Sequence, residues 1–151
     1  LLTDKGWRKQ LVRIIKTGSA GKDRKYLEKG IVLAIRELAQ QSDMDESTRD
    51  LLAYIALSLK AIGNTIDASV TAWEKRGYWI KADRYRMEWI WAEQFGVEME
   101  QAILKDDWGK VARITAQVTQ KLSKVNVPQR NRLGKPWVGF YLKLINLSMS
   151  K

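Results

Sequence analysis

The sequence predicts an all-α fold: an antiparallel bundle of about five helices organised on a long central helical hairpin. Three observations carry that expectation. Apolar residues recur at three- and four-residue spacing along most of the 151 residues, no proline occurs before Pro128, and a lone Gly77 interrupts two long periodic runs. A glycine accepts the positive φ that reverses a chain at a helix end, so the two runs should fold back on each other. The whole of 1–151 reads as one helical-bundle domain, large enough to bury a core without disulfides or metals.

A first helix is expected over residues 3–17, with Thr3 as N-cap, Trp7, Leu11, Ile14 and Ile15 facing inward, and Lys9, Arg13 and Lys16 outside. The G-S-A-G-K-D stretch after it is a turn. It is no phosphate loop, because that motif needs four residues between its glycines, a Ser or Thr after the lysine and a preceding strand. A second helix, 23–41, starts at Asp23 and points Leu27, Ile31, Ala34, Ile35 and Leu38 inward. The polar connection Q-Q-S-D-M-D-E-S-T holds two matches to a capping box, Asp43 with Glu46 and Ser47 with Asp50.

The hairpin follows. Leu52, Ile55, Leu59, Ile62, Ile66 and Trp73 line one face of its first arm, and Leu51, Tyr54, Ala56, Leu57 and Ala61 widen that face, which predicts a central helix touched from several sides. Its second arm repeats the spacing through Tyr78, Ala82, Tyr85, Trp89, Ala92, Met99 and Ile103, with Gly96 on the same seam. Folding about Gly77 places Gly63 opposite Trp89 or Trp91, a small residue making room for an indole. A fifth helix, 108–125, is capped by Asp106 or Asp107 and buries Trp108, Val111, Val118, Leu122 and Val125. Its outer face, Lys110, Arg113, Gln117, Gln120, Lys121 and Lys124, contains no acid. An irregular basic loop at about 126–136 carries Arg130, Arg132 and Lys135, and such long loops are often functional. The apolar C-terminal segment 137–149 reads as a short helix that either closes the bundle or joins a second copy.

The chemistry open to this chain is narrow. With no cysteine and no histidine, thiol nucleophiles, thiolate and imidazole metal sites and the commonest general base are all excluded. Asp83, Glu88, Glu93 and Glu98 recur every five residues, a spacing that rotates them around a helix instead of gathering them; only Asp67, Glu74 and Glu88 could meet across the hairpin. No catalytic residue, metal or cofactor is therefore expected, and the chain reads as non-enzymatic. Among its seven tryptophans, Trp7, Trp73, Trp89 and Trp108 fall on inner faces, Trp79 and Trp91 are undetermined, and Trp137 alone sits in a basic loop. No apolar run approaches the roughly 18 residues of a membrane span, and the start L-L-T-D-K-G-W lacks a signal-peptide layout, so the expected setting is cytoplasmic with no membrane.

Charge gives the leading functional expectation. The net +10 is unevenly spread: residues 42–107 carry eight Lys and Arg against thirteen acids, whereas 108–151 carry nine against none. Such a field favours a polyanion, most plausibly nucleic acid, bound through phosphate by Lys110, Arg113, Lys121, Lys124, Arg130, Arg132 and Lys135 with Trp137 beside them. The alternative is a homo-oligomeric scaffold or adaptor that self-associates through its apolar C-terminal segment and holds an acidic protein on its basic face.

Overall fold

The computed structural model describes residues 19–150 of the chain. The expected helix over 3–17 lies outside the described residues. Within them are five helices and no strand: α1 (Ala20–Leu38), α2 (Glu46–Lys75), α3 (Trp79–Leu104), α4 (Trp108–Lys121) and α5 (Phe140–Met149). The all-α hairpin bundle is what the periodicity predicts.

Gly77 makes the reversal between α2 and α3 at φ +82°. Its N–H donates to the Glu74 carbonyl and that of Tyr78 to the Trp73 carbonyl, the paired bonds of a Schellman end. The α3–α4 junction repeats the device with Asp106 at φ 55°: its N–H donates to Ile103 and that of Asp107 to Ala102. Asp107 then caps α4 by accepting from the Lys110 N–H at 3.2 Å. Two helix starts differ from expectation. Ser19, not Asp23, caps α1 by accepting from the Lys22 N–H, and Asp45 caps α2 by accepting from the Thr48 N–H at 2.9 Å, which holds its carboxyl below the usual carboxylate range. In both places several capping residues stand within a few positions, and the tertiary position of the connection selects among them. Expected to run to Val125, α4 stops at Lys121, with Leu122 as its C-cap.

The core forms around α2, which packs on α1, α3 and α5. Every residue from 50 to 63 is buried, so this helix is enclosed along nearly half its length. Among the described residues α2 alone is long and apolar enough to cross a membrane by length and composition, a stretch that the count of uninterrupted apolar residues passes over; most of it lies inside the bundle. Against α3 the approach is close at Gly96, where an added Cβ would lie 2.8 Å from Lys60 Cγ and 2.9 Å from the Lys60 backbone nitrogen. One turn on, Lys60 Nζ meets Glu100 Oε2 at 2.7 Å with both side chains buried. The expectation for Gly63 needs correction: its space is taken by the Glu93 stem, whose Cβ would stand 2.9 Å from an added Cβ, and not by an indole. Trp89 flanks that position and turns towards α1, where its ring lies 5.3 Å from the Arg24 guanidinium and 5.7 Å from the ring of Trp91.

The last helix is held by a residue far away in sequence. Gly139, at φ +83°, offers α5 no side-chain cap. Asp50 of α2 supplies it: its two carboxylate oxygens accept from the N–H groups of Gly139 and Tyr141, each at 3.0 Å. The negative charge also sits at the positive end of the α5 dipole. Beside it Tyr54 packs edge-on against Trp137 and Phe140, with centroids 6.4 and 4.9 Å away.

Three outcomes test this packing. Lys60→Met alone removes the ammonium that faces the buried Glu100 carboxylate and should cost up to about 3–5 kcal/mol in urea unfolding, whereas Lys60→Met with Glu100→Leu should cost less. Asp50→Ala should cost about 1.5–3 kcal/mol and lower amide hydrogen-exchange protection in α5 before that of α2 or α3. A Cβ at Gly30 would overlap the buried Tyr54 hydroxyl. Gly30→Ala should therefore lose about 1–3 kcal/mol, and less in a Tyr54→Phe background; strict additivity of the two changes would show that the overlap is not the cause.

Candidate anion-binding surface

The α4 sequence sorts its side chains onto two faces. Val111, Ile114, Thr115 and Val118 recur at helical spacing and are buried, and the hydroxyls of Thr115 and Thr119 are absorbed by carbonyls four residues back. Lys110, Arg113 and Lys121 fall off that row. Lys110 is half-buried, while Arg113 and Lys121 are exposed, as is Lys124 just past the helix end. The Lys121 ammonium lies 5.9 Å from the Trp91 ring, so the row borders the α3–α4 seam.

The loop that follows is irregular but braced. Val127 is buried, and its carbonyl accepts from Arg36 Nη2 of α1 at 2.7 Å. Asn131 then organises a turn, donating from Nδ2 to the Pro128 carbonyl at 3.2 Å and accepting the Leu133 N–H at 3.1 Å. Leu133 is half-buried. Arg130 and Arg132 are thereby displayed between two anchored apolar residues, and Lys135 is exposed beyond them. Among the described residues, none of these seven cations forms an ion pair. Acids that could neutralise them are absent from 108–151 altogether.

Trp137 does not belong with them. Its side chain is 6% exposed and packed against Tyr54, so it closes the core where the loop ends and offers no face to a ligand. Proximity in sequence to Arg132 and Lys135 suggested a stacking surface; a partner on α2 decides otherwise.

The carboxylates are dispersed. Glu74 accepts from Arg86 at 3.3 Å, Asp67 lines a cleft of about 210 Å³ beside Gly63, and Glu88 lines a separate one of about 460 Å³ beside Trp73. No three acidic side chains among the described residues come together as metal ligands. Burial pushes the Tyr54 phenol well above its ordinary range, which keeps it protonated. A further cavity is a groove of about 410 Å³ between α1 and α4, lined by Ile35, Leu38, Leu52, Trp108, Val111 and neighbours and devoid of charged groups. A polyanion has no counter-charge there.

Arg24 is the polar feature that sequence reading missed. It donates to the Tyr85 hydroxyl and to Glu28, and lies 5.6 Å from the Tyr85 ring, tying α1 to α3. Its position on the margin of the α1 apolar stripe is the local signal that could have marked it. Comparison with protein-family models, curated proteins and solved structures found no match to this chain.

Proposed function

We propose that the chain is a non-enzymatic helical binding module for a polyanion, nucleic acid in particular. The observation that carries this reading is the acid-free group of Lys110, Arg113, Lys121, Lys124, Arg130, Arg132 and Lys135, all exposed but the half-buried Lys110, and outside any ion pair among the described residues. An unpaired cation retains its full attraction for phosphate, whereas one already in a salt bridge must exchange one partner for another. The contacts would be to backbone phosphate and independent of base sequence, because nothing in the sequence resembles a helix-turn-helix, a zinc finger or an RNA-recognition sheet. The exposed lysines of α1, Lys22, Lys25 and Lys29, differ in having Asp23 and Glu28 interleaved with them.

Salt dependence of binding tests the reading. On a labelled DNA duplex, affinity should fall with log salt at a slope of about 0.9 per phosphate neutralised. Replacing Lys110, Arg113, Lys121 and Lys124 with glutamine should lower that slope by several units and weaken all sequences alike. The same change at Lys22, Lys25 and Lys29 should have a smaller effect. Equal losses from the two sets would mean diffuse attraction to the net charge, and absence of binding near physiological salt would end the proposal.

A further inference from the structure

Helix α3 is apolar on two sides. Its inward row, Ala82, Ala92, Gly96, Met99 and Ile103, is buried in the bundle. A second row, Ile80, Met87, Ile90, Val97 and Leu104, runs the length of the opposite side and is exposed, Ile80 at 73% and Met87 at 70%. Its residues occupy the a and d positions of a heptad, with Asp83, Gln94 and Gln101 filling the remainder. Such a row drifts around a straight helix by about 20° per heptad, and a left-handed coil with one further helix removes the drift. No helix among the described residues covers it.

We propose that this row is the interface for a second copy of the chain, with the two α3 helices antiparallel and the two-fold axis between Ile90 and Gln94. In that register Ile80 meets Leu104 of the second copy, Met87 meets Val97 and Asp83 meets Gln101, so that apolar positions face apolar ones and a carboxylate faces an amide. Ile90 against Gln94 is the one mixed layer. Charge selects the direction. Residues 79–86 hold exposed Lys81 and Arg84 and half-buried Arg86 against Asp83, while 87–104 hold exposed Glu88 and Glu98 and no base, Glu93 and Glu100 being turned to α2. Antiparallel pairing lays the basic end of each helix along the acidic end of the other and brings exposed Arg84 beside exposed Glu98 of the second copy; parallel pairing would join like ends. Another unpartnered apolar row, Val138 just before α5 with Leu142 and Met149 on its outside, is shorter and accompanied by Lys143 in a region without acids, so two copies would meet there with like charge. This inference stands independently of the anion-binding reading.

Light scattering after gel filtration of the full chain should give twice the chain mass at micromolar concentration. Met87→Glu with Ile90→Glu, both at exposed positions, should give the chain mass with an unchanged circular dichroism spectrum. Arg84→Glu should weaken the dimer at least several-fold, and adding Glu98→Arg should restore it. Because the chain contains no cysteine, Met87→Cys with Val97→Cys should cross-link into dimers on oxidation. Ile80→Cys alone should not, since an antiparallel pair holds the two copies of that position about 36 Å apart at 1.5 Å per residue. A wild-type monomer that no cysteine pair cross-links overturns the proposal, whether residues 1–18 or a different protein then covers the row. So does efficient cross-linking through Ile80→Cys, which requires parallel helices.

Discussion

The constraint on which this fold depends is the close approach of α2 and α3 at Gly96. With no side chain there, the α3 backbone comes against the Lys60 backbone and the carbonyl of Ala56, and the Lys60 side chain is directed along the seam to Glu100. A buried ion pair is a weak source of net stability, because desolvating both ions offsets most of their attraction. It is a strong source of register. Sliding the arms by one turn would separate the two charges inside a nearly water-free seam, whereas the apolar residues around them would tolerate the shift far better. Gly77 allows the chain to reverse, and Gly96 with Lys60 and Glu100 decides where the reversed arms lock.

From that seam the remaining surfaces follow. Helix α2, enclosed by α1, α3 and α5, leaves almost no face to solvent over its first half. The outward surfaces belong to the others, and they are unlike one another: an acid-free group of cations on α4 and the loop after it, and an apolar heptad row along the outside of α3. The acids concentrate in the hairpin and the unpaired bases at the C-terminal third, so the electrostatic field is a property of how the sequence is divided more than of any single pair.

The hairpin was legible in the sequence because its determinants are local: a three-and-four periodicity, a glycine between two runs, a Schellman end whose positive φ glycine adopts most readily. The centrality of α2 was legible for the same reason, since a helix apolar nearly all round must be enclosed. Long-range partners defeated the reading elsewhere. Trp137 looks like a loop aromatic until Tyr54, 83 positions earlier, is placed beside it. Gly63 was matched to an indole by counting from the turn, but Trp89 turns aside towards Arg24, and a stem from Glu93 takes the space. The cations of the candidate surface were the easier inference. Lysine and arginine declare themselves exposed by their cost of burial, whereas a tryptophan is equally at home inside and out.

The use of Asp50 as the cap of α5 has a consequence for the order in which the molecule is made. A cap supplied by the preceding residue lets a helix begin as soon as it is synthesised; one supplied across a separation of 89 residues does not. The first turn of α5 takes its acceptor from α2, so closing this end of the bundle requires a non-local contact. Until then Tyr54 and the neighbouring apolar surface of α2 lack Trp137 and Phe140. That flank of the central helix is thus covered by residues 83 to 91 positions away in sequence, and the segment from Trp137 through α5 is the piece that covers it.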